Sequence, residues 1–112
     1  MQVSFHIICA DTALGRVQDC LRENLSTCMR LAIAPYWKTP GCSEITCAYS
    51  DIPMDTGDLQ EVVRKISRKN NLSISHQGDC VEYSAYATTE EIMSSDDGAF
   101  VVCFVNMKEN AI

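Results

Sequence analysis

The sequence predicts an α+β domain, one mostly antiparallel sheet with two long helices on the same face. Three observations carry this. Two segments place apolar residues at helical spacing, and several others alternate with the period of a strand. The third is Ala99-Phe100-Val101-Val102-Cys103-Phe104-Val105, apolar on both alternating sides and rich in β-branched and aromatic residues. At seven residues it has the length of a strand, bounded by Asp97-Gly98 and Asn106. A strand without a polar side is expected to lie centrally, covered above and below. A chain of 112 residues, 46% hydrophobic and 21% charged, is then most simply a single globular domain spanning 1–112.

Each element has its own signature. Val3, Phe5, Ile7 and Cys9 alternate with Ser4, His6 and Ile8, giving a strand with one buried face and His6 on the other. Asp11-Thr12 offers a cap for a helix running to about Asn24, with the stripe Leu14, Val17, Leu21, Leu25 and Cys28. Met29, Leu31 and Ile33 form a second strand that stops at Pro35. Residues 35–41 are a loop by their Pro and Gly content, and carry Tyr36 and the single Trp, Trp37. These rings either fold back on the core or form a contact surface, since Tyr and Trp commonly anchor interfaces.

Residues 44–49 alternate as a third strand, hairpin-paired with the second. The second helix has Asp55 as N-cap, Met54 stapled on Leu59, and the stripe Leu59, Val62, Val63 and Ile66. Lys65, Arg68 and Lys69 offset the dipole at its last turn, and Asn70 or Asn71 takes the left-handed cap. Leu72 and Ile74 open a fourth strand, 76–79 make a turn, and Val81, Tyr83 and Ala85 form a fifth strand with Glu82, Ser84 and Tyr86 on its other side. Thr88-x-x-Glu91 is a capping box for a helix of one to two turns through Ile92 and Met93. The tail from Lys108 is expected to fray. The first six elements follow the ferredoxin-like βαββαβ order, to which a strand, a short helix and the C-terminal central strand are added. The sheet face without helices is expected to be half exposed or covered by a partner.

The net charge of −6 argues against a nucleic-acid binder, which needs a basic face. Eleven of the fifteen acids lie in two stretches that hold no Lys or Arg. One runs from Thr39 to Val63 and carries Glu44, Asp51, Asp55, Asp58 and Glu61. The other runs from Asn70 to Met107 and carries Asp79, Glu82, Glu90, Glu91, Asp96 and Asp97. The longest apolar run is far too short to cross a bilayer, and Met1–His6 lacks the basic region of a signal peptide. No membrane association and a cytoplasmic location are therefore expected. The seven cysteines include no Cys-x-x-Cys pair, and neither His stands at zinc-ligand spacing from a Cys pair. Small reduced hydrophobes are the simplest account, with a pairing or metal role for Cys42 and Cys47 left open.

No catalytic pattern emerges. There is no G-x-S-x-G, no glycine-rich phosphate loop and no clustered metal ligands, so neither enzyme activity nor a cofactor is expected. The adjacent pairs Glu90-Glu91 and Asp96-Asp97 read as solvated charge rather than an acid–base couple. What remains is recognition of a basic protein by an acidic surface beside an aromatic loop. The candidate contact residues are Tyr36, Trp37, Glu44, Asp51, Asp55, Asp58, Asp79 and Glu82.

In its small size, acid surplus, cytosolic character and lack of a catalytic set, the whole chain resembles bacterial immunity proteins, especially those of contact-dependent inhibition systems. The resemblance is one of general character. It implies a one-to-one inhibitor, monomeric or weakly dimeric, that blocks a cognate toxin domain, often a basic nuclease. Its acids would mimic or cover the toxin's contacts with nucleic acid. Two other readings stay open. One is a ferredoxin-like module that binds a small effector or self-associates. The other is an enzyme with His6 or His76 in a pocket beside a carboxylate.

Overall fold

The computed structural model describes residues 2–25, 30–51, 55–68, 72–94 and 99–106, with side chains at 48–51, 89 and 94 left aside. Cys28, Met29, Met54, Lys69, Asn70, Asn71, Asp96 and Asp97 fall outside this set, so the staple and the asparagine caps do too. The elements are β1 (Gln2–Ala10), a 3₁₀ turn (Asp11–Ala13), α1 (Leu14–Leu25), β2 (Leu31–Pro35), β3 (Cys42–Asp51) and α2 (Thr56–Ser67). They continue with β4 (Leu72–Gln77), β5 (Cys80–Ala85), α3 (Thr89–Ser94) and β6 (Ala99–Asn106). The class is α+β. One six-stranded sheet has the order β2-β3-β1-β6-β5-β4, and every neighbouring pair is antiparallel.

The strand order departs from the ferredoxin-like expectation at one place. There, the fourth strand would lie beside the first, next to a β1-β3-β2 triplet. The triplet is present, but β6 occupies the slot beside β1 and β4 forms the far edge. A two-residue turn, Gly78-Asp79 with Gly78 at φ 59°, locks β4 to β5 as a hairpin. The hairpin then returns through β6. The most apolar strand thereby gains two neighbours, β1 and β5, and β4 with its Ser, His and Gln residues is left at the edge.

The core fills the face under the two long helices. Val3, Phe5, Ile7 and Cys9 of β1 meet Ala99, Val101, Cys103 and Val105 of β6, all buried. Ile45 and Cys47 of β3 and Val81, Tyr83 and Ala85 of β5 extend this layer. Val17, Leu21 and Leu25 of α1 and Leu59, Val62, Val63 and Ile66 of α2 close it from above, as the helical stripes require. Arg16 ties the helices together, donating to the carbonyls of Lys65 at 3.2 Å and Ile66 at 2.8 Å in the last turn of α2.

The helix ends combine expected and unexpected solutions. Asp55 is the N-cap of α2, its Oδ1 accepting from Asp58 N at 2.8 Å. Thr88 opens α3, its Oγ1 accepting from Glu91 N at 3.2 Å and donating to the Glu91 carboxylate. Arg68 itself closes α2 in the left-handed region at φ 55°, ahead of the asparagines. The chain enters α1 through the 3₁₀ turn, which starts after Ala10 without a side-chain cap. The Asp11 carboxylate is turned instead toward β3, accepting from Ser43 Oγ at 2.5 Å. Among the described residues, no helix is long and apolar enough to cross a membrane.

Candidate functional site

The opposite face of the sheet decides the site. Side chains on that face come from the alternate positions of each strand, and the register places them in rows. Ile8 of β1 stands between Glu44 of β3 and Phe100 of β6, and His6 stands between Thr46 and Val102. Further along, Phe104 lies between Ser4 and Glu82 of β5. Phe100 and Val102 are half-buried, and Phe104 is 39% exposed. The expectation that β6 is covered above and below holds on one side only, and its other side is half exposed, as expected for the sheet face without helices. Among the described residues, helices cover one side completely, and on the other only the short helix α3 covers one end. Ala87 and Ile92 pack there on Ala10 and Cys42, joined by half-buried Ile8, Tyr36 and Phe100. The Cys42 thiol points at the Met93 thioether, 3.3 Å away.

Beside this small cluster the surface opens into a groove of about 450 Å³, lined by Ile8, Tyr36, Tyr86, Ala87, Thr88, Ile92 and Phe100. Tyr86 is 70% exposed and meets Phe100 edge to face, with ring centroids 5.6 Å apart. Tyr36 and Trp37 divide the two roles open to the aromatic loop. Tyr36 packs into the cluster, whereas Trp37 stays 80% exposed, with Lys38 Nζ 5.0 Å from its ring centroid. Gly41, at φ 86°, lets the loop close against Met93, whose methyl would lie 3.2 Å from any added Cβ.

Next to the groove, His6 Nε2 and the Glu44 carboxylate stand 3.1 Å apart, both partly open to solvent. The carboxylate partner required by the enzyme reading is thus present at His6, although His6 is not among the groove's lining residues. His76 lies exposed on edge strand β4. Among the described residues, no group of three or more His, Cys, Asp or Glu is arranged to hold a metal ion. Cys42 and Cys47 share β3 but point to opposite faces, one toward α3 and the other into the main core. Five steps along the strand put them about 16 Å apart, beyond disulfide reach.

The candidate contact residues fall into separate places. Tyr36, Trp37 and Glu44 gather at the α3 end. Glu82 shares the uncovered face near its other end, with Asp79 in the adjoining β4–β5 turn. Asp51 ends β3 opposite Gln2, about 30 Å along the strand from Cys42, and its side chain is outside the described set. Asp55 is the N-cap of α2 and Asp58 lies in its first turn, where capping and the helix dipole account for both. The residues that sequence reasoning passed over are Ile8, Tyr86, Ile92, Phe100, Val102 and Phe104. Their signal was visible in β6, whose second apolar side demanded a cover. This chain matches no family model, no curated protein and no solved structure.

Proposed function

We propose that the chain is a small acidic binding protein that docks a basic protein partner on the uncovered face of its sheet. In its most specific form, it is an immunity-type inhibitor that neutralises a nuclease-like toxin domain in the cytoplasm, acting by occlusion and without turnover. The observation that carries this reading is the second apolar side of β6. Phe100, Val102 and Phe104 form a stripe that, among the described residues, no long helix covers, flanked by Glu44 on one side and Glu82 on the other. A contiguous apolar surface rimmed by charge is characteristic of an interaction site. Carboxylates on both flanks favour a basic partner, raising its encounter rate and fixing its register.

The test joins capture to inhibition. Tagged protein is used to capture partners from its native host at low salt, and the captured basic domain is assayed for nuclease activity. Stoichiometric wild-type protein is expected to abolish that activity, and Phe104→Asp to lose the inhibition while retaining its fold. Full inhibition by Phe104→Asp, or a captured partner that lacks a basic surface, would overturn the proposal. The 450 Å³ groove favours a second reading, a module for a small effector. It predicts a raised melting temperature with a host metabolite and no protein partner.

A further inference from the structure

The groove beside α3 adjoins the flat stripe along β6 and shares Phe100 with it. Its lining side chains are uncharged, and three of the seven are aromatic. Its surroundings are acidic. Glu44, with His6 Nε2 3.1 Å from its carboxylate, is the cross-strand neighbour of Ile8, and Glu90 and Glu91 stand exposed on α3 between Thr88 and Ile92, Glu91 accepting from Thr88 Oγ1. The nearest base in the loop, Lys38, lies over the ring of Trp37. Tyr86 is held by its edge-to-face contact with Phe100 and is still 70% exposed. It therefore presents a pre-positioned ring at the mouth of the groove. A volume of about 450 Å³ takes one bulky aromatic side chain together with the stems of its neighbours.

Apolar walls with an acidic rim select an occupant that is apolar at its centre and cationic at its edges. We infer that this groove is the anchor pocket for a basic protein segment in which an aromatic side chain is flanked by Lys or Arg. The aromatic side chain enters between Tyr86, Tyr36 and Ile8, and the flanking cations face Glu44, Glu90 and Glu91. This rests on the proposed docking of a basic partner and names the chemistry at one end of that surface. Aromatic anchors seated in well-packed pockets inside a polar rim are the usual energetic centre of protein interfaces.

Three capped tripeptides, Lys-Trp-Lys, Glu-Trp-Glu and Lys-Gly-Lys, separate the contributions of ring and charge. Each is titrated into isotope-labelled protein while backbone amide shifts are followed. Lys-Trp-Lys is expected to move the amides of Ile8, Tyr86, Ala87, Ile92 and Phe100 saturably. It should bind about ten-fold tighter than either other peptide and weaken with added salt. Tyr86→Ala should lose that preference and Tyr86→Phe keep it, both with unchanged melting. Equal binding of Glu-Trp-Glu would overturn the inference in favour of a charge-indifferent pocket for a neutral aromatic ligand. Shifts centred on Asp79 and Glu82, or no binding by any peptide, would overturn it as well. If Phe104→Asp abolishes toxin inhibition while Tyr86→Ala leaves both inhibition and peptide binding intact, the docking proposal stands and the anchor pocket falls.

Discussion

Cys9, Cys47 and Cys103 are buried among apolar side chains, and burial raises all three thiols from the ordinary 9.0, to about 11 for Cys9 and about 12 for the others. A thiol that stays protonated is a poor nucleophile, so these residues serve as small core hydrophobes. Below pH 9 both folded and unfolded chains hold these protons, and the thiols' contribution to stability is fully present. Above it the unfolded chain releases them while the folded chain keeps them, so stability falls as pH rises toward 11–12. The slope is up to about 1.4 kcal/mol per pH unit for each thiol. Urea unfolding across pH 8–10.5 should show this decline, and Cys47→Ala with Cys103→Ala should flatten it. At this scale much was legible in the sequence. Asp55 and Thr88 stand where their capping patterns put them, because a cap depends only on local chain geometry. Asp11 was not legible, since its partner Ser43 lies 32 residues away and is reached only once β1 and β3 pair.

Among the elements, β6 joins the core to the half-open face of the sheet. Its core-facing residues are fully buried and its other side is half open, so equally apolar positions make unequal contributions. Val101→Ala should cost about 2 kcal/mol through the cavity left under the helices. Phe104→Ala, on the uncovered side, should cost under ~1 kcal/mol, both read from urea midpoints. The central position of β6 and the half-open face behind it were readable from the pattern, whereas the packing of α3 over one end of that face was not. Apolar residues on both sides of a strand state a demand for burial, and whether the same chain meets that demand depends on where other helices land. The displacement of β4 to the edge has a similar cause. The order of elements along the chain is compatible with either strand arrangement. The choice rests on long-range pairing, where the apolar β6 gains more from the position beside β1 than the polar β4 would.

The whole molecule is elongated, 46 Å along its longest axis and 26 Å and 23 Å across. Charge along the chain therefore translates poorly into charge on a face. The two base-free stretches of sequence contribute Glu44 and Glu82 to the uncovered face, but Asp55 and Asp58 to the start of α2. Sequence proximity grouped acids that the fold separates, and only the register of the strands sorts them. If the uncovered face is the docking surface, its acids should govern encounter and the α2 acids should not. The most direct test is the association rate with the captured basic partner, measured by stopped flow at low and high salt. Glu44→Lys and Glu82→Lys should each slow association several-fold at low salt and reduce its salt dependence, while Asp58→Lys leaves both near wild type. Unchanged rates for the first two variants, or an equal loss for Asp58→Lys, would contradict the assignment of the uncovered face.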